Sequence, residues 1–168
     1  MRITAVIPRF LAPWLRTRYE PRMATAQMVA VPGTSPFLLR HSNPPGLWSS
    51  PRLTQVVEVQ GARMIYLSGQ APADKDYKVY AKDLRGQANT VYDNIEIALK
   101  SVGAGWDNVV KTTTYLTDAA NIAALREVRL ERLRNLKAPP ANTLLIVSRL
   151  AEPEFLIEID VVAAVPAG

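Results

Sequence analysis

Between Leu84 and Val102 the apolar residues Leu84, Ala88, Val91, Ile95, Ala98, Leu99 and Val102 recur every three or four positions, and Gly103 follows where a helix stop is expected. A helix with one apolar stripe gains most of its stability by laying that stripe on a partner. Its neighbours in sequence read as strands. Residues 54–59 (TQVVEV) and 63–68 (RMIYLS) form two strand patterns joined at Gln60-Gly61-Ala62, which predicts a hairpin. A polar loop through Asp74 and Asp76 follows, with room for a short extra strand at residues 78–80. Residues 108–117 (NVVKTTTYLT) are β-branched and strand-like. A second helical period runs over residues 122–136, behind Asp118 or Asn121 as cap. Strand patterns at residues 143–150 and 155–165 close the chain. The order β-β-α-β-α-β-β, with only two helices, predicts an α+β fold: a mixed sheet packed on two helices.

Two helices cover one face of a sheet, so the other face should read polar in a lone molecule. It does not. In the last strand Phe155, Ile157, Ile159, Val161, Ala163 and Val165 point one way, whereas Leu156, Val162 and Ala164 share the opposite face with Glu158 and Asp160. Val109, Thr113 and Tyr115 against Val110, Thr112, Thr114 and Leu116 repeat the two-sided pattern. A sheet apolar on both faces wants a second cover, and the patterning predicts another copy of the chain.

The chain divides at about residue 51. Eight of its 13 prolines lie in residues 1–51, an arginine- and proline-rich extension expected to be largely irregular; residues 52–168 form the folded domain. The net charge of +5 belongs to the extension. Residues 1–45 carry Arg2, Arg9, Arg16, Arg18, Arg22 and Arg40 against Glu20 alone, and the remainder is formally neutral. Nucleic-acid binding is therefore not expected of the body. Within the first 15 residues Ile3, Val6, Ile7, Phe10, Leu11, Trp14 and Leu15 recur at helical spacing, interrupted by Pro8 and Pro13. Such an acid-poor leader over residues 1–30 could serve as a mitochondrial transit segment; otherwise the expectation is a cytoplasmic protein. No apolar run reaches the roughly 18 residues of a membrane span. Cysteine is absent and His41 is the only histidine, so neither disulfides nor a metal site is expected, and no motif asks for a cofactor.

Few residues suggest chemistry. Glu158 is an acid between apolar neighbours on the face expected to be covered, where desolvation would raise its pKa and suit it to proton transfer. The same placement equally suits a salt bridge across subunits. Ser68-Gly69-Gln70 ends a strand with a glycine that allows close backbone approach and could present amides to an anion, although a tight turn explains it as well. Ser68 is not a candidate nucleophile, because nothing links it to His41 in the proline-rich lead. Gly103-Ala104-Gly105 is a helix stop and not a dinucleotide loop. Arg126, Arg129, Arg132, Arg134 and Lys137, among Glu127 and Glu131, read as a solvated helix face.

Taken together, YLSGQAP (66–72), QANTVYDNIEIALKSVGAGWDNVVKTTTYLTD (87–118), PPANT (139–143) and FLIEIDVVAAV (155–165) resemble the RidA/YjgF family in continuous order over residues 55–165. The resemblance implies a chorismate-mutase-like α+β fold, a homotrimer whose strands line a central barrel, and small-molecule pockets at the subunit interfaces. It implies hydrolysis of enamine or imine intermediates to 2-keto acids and ammonia. It assigns the last-strand glutamate to Glu158 as catalytic residue, and the ligand-binding turn to Ser68, Gly69 and Gln70, with Tyr115 at an aromatic position of the pocket. A non-catalytic ligand-binding trimer and an endoribonuclease are the alternatives on this scaffold; the neutral body argues against the second.

Two family positions differ. The arginine of the family's P-A-R-S step is Asn142, followed by Thr143, and the early tyrosine falls on Leu53. Replacing charge-assisted bonds (about 1.5–3 kcal/mol) by a neutral one (about 0.5–1.5 kcal/mol) would hold a carboxylate roughly ten-fold more weakly. The resemblance thus implies an altered substrate range.

Overall fold

The striped helix forms where its spacing places it. In a computed structural model that describes residues 36–167, α1 spans Leu84–Ser101 and buries Leu84, Ala88, Val91, Ile95 and Leu99. Asp83 caps its start by accepting from the Gly86 amide at 2.7 Å. At its end Gly103 takes the left-handed conformation (φ 72°), the Ala104 amide donates to the Leu99 carbonyl at 2.9 Å, and the Gly103 amide to the Lys100 carbonyl at 3.1 Å. These two bonds close a Schellman cap, which a side chain at position 103 would strain.

The strands are β1 (Leu38–Ser42), β2 (Val56–Gln60), β3 (Ala62–Gln70), β4 (Val109–Leu116), β5 (Ala141–Ile146) and β6 (Ile157–Pro166), and the second helix is α2 (Ile122–Leu133). Four strands make one sheet in the order β3-β6-β4-β5, antiparallel except for the parallel pair β4-β5, whose crossover supplies α2. Asp118 caps a short turn ahead of α2 by accepting from the Ala120 amide. Ile65, Val109, Leu116, Ile157, Ile159, Val161 and Ala163 meet the helix stripes, with Leu125 and Val128 supplied by α2. Burying each of the larger of these side chains is worth about 1.5–3 kcal/mol. The mixed sheet on two helices is the α+β fold expected from sequence.

Four sequence-based expectations need correction. The strands on either side of Gly61 do not form a hairpin: β2 pairs with β1, and β3 pairs with β6. A hairpin needs at least two loop residues. Gly61 alone (φ 61°) links the strands, so it redirects the chain from one sheet into the other. Strand β1 lies inside the stretch expected to be irregular; its alternation is hidden by prolines on both sides. Residues 78–80 form no strand, because Asp74 Oδ1 accepts from the Asp76 and Lys78 amides at 2.9 Å and folds the segment into a local turn. Leu156 precedes β6 and packs toward the core instead of the open face, its amide held by Gln87 Oε1 at 2.8 Å.

The sheet face away from the helices carries Met64 and Tyr66 of β3, Glu158, Asp160 and Val162 of β6, Thr113 and Tyr115 of β4, and Leu145 of β5. It lies open in the single chain: Tyr66 is 74% exposed. No helix among the described residues is long and apolar enough to cross a membrane. The amphipathic leader expected over residues 1–30 lies outside the described residues.

Candidate functional site

The open face concentrates the polar groups that the sequence singles out. Tyr115 and Glu158 are direct cross-strand partners, and the Tyr115 hydroxyl reaches diagonally to donate to Asp160 Oδ2 at 2.9 Å. Glu158 and Asp160, two residues apart on β6, therefore face the same side with Tyr115 between them. Burial pushes the Glu158 carboxyl above the ordinary glutamate range, and the charge of Asp160 pushes it further the same way. Tyr115 is also raised, because its phenolate would lose the hydrogen bond to Asp160 and then face that carboxylate.

The Ser68-Gly69-Gln70 segment ends β3 at a bulge, where the register with β6 shifts between Leu67 and Gln70. Gln70 closes it by donating from Nε2 to the Ser68 carbonyl at 2.8 Å. Gly69 leaves room for the Glu158 carboxylate: a Cβ built there would overlap Glu158 Oε1, and would lie 2.9 Å from its Cδ and 3.2 Å from Asp160 Oδ1. The structure thus brings Glu158, Tyr115 and the Gly69 turn together. Beside Gly69 opens a depression of about 400 Å³, bounded by Ala73, Asp74, Tyr77, Asn94 and Ile97. Asn94 of α1 holds its rim by donating to the Ala71 and Ala73 carbonyls at 3.1 and 2.8 Å. Tyr77, in a left-handed conformation (φ 61°) on the Asp74 turn, stacks edge-on against Phe155.

Asn142 and Thr143 do not join this group as a pair. Asn142 sits opposite Thr112, whose side chain faces the helices, and its amide oxygen accepts from the Thr112 hydroxyl at 2.8 Å and from the Arg129 guanidinium at 3.4 Å. Within one chain Asn142 and Glu158 therefore occupy opposite faces of the sheet. Thr143 is on the open face and accepts from Lys111 Nζ at 2.6 Å. Burial lowers the pKa of Lys111. Sequence reasoning missed Asp160 and Tyr77 as members of the site, and Arg129 as the neighbour of Asn142. The i, i+2 acids on one strand face carried a signal for Asp160; Tyr77 and Arg129 had none, because a loop and a helix deliver them. Among the described residues no group of three His, Cys, Asp or Glu is placed to hold a metal ion.

A family model described as Endoribonuclease L-PSP matches residues 49–165. The chain belongs to the RidA/YjgF family. It is 32% identical over 106 residues to a RutC family protein of Pyrococcus horikoshii, a match that spans 62% of this chain and 82% of that protein. A Rid family protein of Yersinia pestis, YyfB, superposes with a TM-score of 0.70 at 29% identity, over 76% of this chain and 98% of the other. RidA from an Antarctic Psychrobacter gives a TM-score of 0.57 at 25% identity, over 74% and 94% of the two chains. Against its Rid relatives the chain thus spans most of their length. Asn142 and Leu53, the positions where the chain differs from the Rid resemblance, line one cavity together with Arg129 of α2.

Proposed function

We propose that this Rid protein is an enamine/imine deaminase with an altered substrate range, acting as a cytoplasmic homotrimer with small-molecule pockets at its subunit interfaces. In this reading water adds to the C=N carbon of an imine, the nitrogen leaves as ammonia, and a carbonyl compound remains. Glu158 accepts a proton from the attacking water and passes it to the nitrogen to give a carbinolamine, then carries the hydroxyl proton to the departing nitrogen as the C–N bond breaks and the C=O bond forms. A carboxyl held above its ordinary range is suited to both transfers near neutral pH. The observation that carries the reading is the seating of the Glu158 carboxylate against Gly69, which fixes an acid beside the backbone of a strand-end turn. Ser68, Gly69 and Gln70 would hold the substrate by backbone contact, with Tyr115 fixing Asp160 beside the acid. Because position 142 supplies a neutral amide, small carbonyl- or imine-type molecules without a carboxylate are the favoured substrates.

The test is ammonia release by the purified chain from imines that an amino-acid oxidase generates in place, alongside imines of neutral aldehydes. Turnover that Glu158→Ala abolishes supports the assignment. Turnover that the substitution leaves unchanged removes Glu158 from the chemistry. A second reading, a non-catalytic ligand-binding protein, draws on Asn142, whose amide oxygen is already engaged by Thr112. It predicts a ligand-dependent melting shift with no product.

A further inference from the structure

Tyr77 holds a left-handed backbone (φ 61°) that a bulky side chain rarely adopts. The turn around it is built by other groups. The Asp74 side chain accepts the Asp76 and Lys78 amides, the Asp74 amide donates to the Lys78 carbonyl at 3.0 Å, and the Tyr77 amide donates to the Asp74 carbonyl at 3.0 Å. Glycine would complete that turn without strain. Nor does the ring belong to the core: it meets Phe155 edge-on, its hydroxyl donates to Glu152 Oε1 at 3.4 Å, and Tyr77 stays 60% exposed. Backbone strain kept for an exposed ring points to a use for the ring.

The depression of about 400 Å³ beside Gly69 supplies that use. Tyr77 lines it with Ala71, Ala73 and Ile97, an isoleucine that α1 leaves 67% exposed, off its buried stripe. The charged groups of the wall are already taken. Asp74 is held by the two amides and by the Tyr80 hydroxyl at 3.2 Å, and Lys75 pairs with Asp76 at 3.0 Å. The Asn94 amide nitrogen is spent on the Ala71 and Ala73 carbonyls. The surface left for a ligand is therefore chiefly apolar, which suits an uncharged group. The depression also reaches Gly69, against which the Glu158 carboxylate lies. The Tyr77 hydroxyl is pushed above the ordinary tyrosine range by desolvation first and then by the charges of Glu152 and Glu158, so the ring stands in the field of that acid.

We propose that this depression seats the apolar substituent of the substrate, which makes the substrate class the imines of neutral aromatic or branched-chain aldehydes. The substituent lies against Tyr77 and Ile97, and the C=N group is at Gly69, on the side of Glu158. Tyr77 is the specificity-determining residue. The inference rests on the reading of Gly69 and Glu158 as the reaction site and names the substrate of that site.

Two measurements on the full chain keep the inference and that reading apart. NMR titration with the neutral amides benzamide and acetamide reads the pocket without turnover. Benzamide should bind about ten-fold more tightly, the effect of burying a ring in place of a methyl group. Tyr77→Gly, which suits the left-handed backbone, and Ile97→Asn, at an exposed position, should each remove most of that preference, and Tyr77→Phe, which keeps the ring, should retain it. The second measurement is the ratio of kcat/KM for imines generated in place by a flavin amine oxidase from benzylamine and from a short alkylamine. The aromatic imine should lead by about ten-fold, with the ratio near one in Tyr77→Gly. Equal binding of the two amides, or a preference that survives Tyr77→Gly, would overturn the inference. So would imine turnover without the preference, which leaves Glu158 its chemistry. A Tyr77-dependent preference for benzamide with no turnover of any imine would support the pocket and remove the reaction.

Discussion

The Glu158 carboxylate lies over the bare Cα of Gly69, in the space that a side chain's first carbon would take. Glycine gives the carboxylate room there and serves no need for backbone freedom, since only Gly46, Gly61 and Gly103 among the described glycines have positive φ. Gly69→Ala should therefore fold, because the group in the way is the far end of a flexible side chain. The expected cost is about 1 kcal/mol, the low end for an added methyl in a filled space. The carboxylate, however, must swing out toward solvent. Denaturant melts should show the small loss, and a carboxyl titration followed by NMR should show Glu158 returning toward the ordinary glutamate range.

Asp160 acts on Glu158 through charge alone, while Tyr115 donates its hydroxyl to Asp160. Asp160→Asn removes that charge and leaves the burial of Glu158 almost unchanged. The Glu158 pKa should fall but stay above the ordinary range, since burial is the larger cause of its elevation. A Glu158 titration indistinguishable from that of the parent protein would show that the two carboxylates are uncoupled.

The raised Glu158 pKa has a definite sign in stability. Below the ordinary glutamate range both the folded and unfolded chains hold the proton, and the residue contributes no difference. As pH rises through that range the unfolded chain ionises first, so the fold loses stability until the folded pKa is passed, and the loss is then constant. Glu158→Gln removes this penalty. Its melting temperature relative to the parent should improve between pH 4 and pH 7; a difference that is flat across that interval would contradict the shift.

How much of this was legible depended on distance along the chain. The α1 stripe, its Gly103 stop and the position of Glu158 on β6 follow from local spacing, and the structure keeps them within a residue or two. The pairing of β3 with β6 joins Ala62 to Pro166, and no local pattern encodes that choice, so the neighbouring strand looked like the natural partner. The same limit governed the site. Asp160 was readable from its i, i+2 spacing, whereas Arg129 reaches Asn142 only because the crossover from β4 to β5 lays α2 against that end of the sheet. A helix full of arginines and glutamates looks solvated until Arg85, on another helix, takes both glutamates away.

Gln87 tests the joint between the helix layer and the strand that carries Glu158. It is buried, donates from Nε2 to the Ala81 and Glu154 carbonyls at 3.2 and 2.8 Å, and accepts from the Leu156 amide at 2.8 Å. Gln87→Leu keeps the volume and strands backbone groups at positions 154 and 156. Unsatisfied buried groups cost about 1–3 kcal/mol each, so a loss of about 2–4 kcal/mol is expected in urea unfolding. A loss below about 0.5 kcal/mol would mean that the segment before β6 finds other partners.

The open sheet face bears on the proposed homotrimer. Tyr66 and Val162 are direct partners across β3 and β6, on the side that no helix covers, and Tyr66 is largely exposed in the single chain. A lysine at position 66 costs a lone subunit little, because exposed substitutions usually change stability by no more than about 0.5 kcal/mol. In an assembly that buries this face, the same lysine must lose its water without gaining a partner. Sedimentation should therefore give a three-copy mass for the parent chain and a smaller one for Tyr66→Lys, with unchanged circular dichroism. A parent chain that sediments as a single copy would leave Met64, Tyr66 and Leu145 in water, and the proposed subunit-interface pocket around Glu158 would have no second wall.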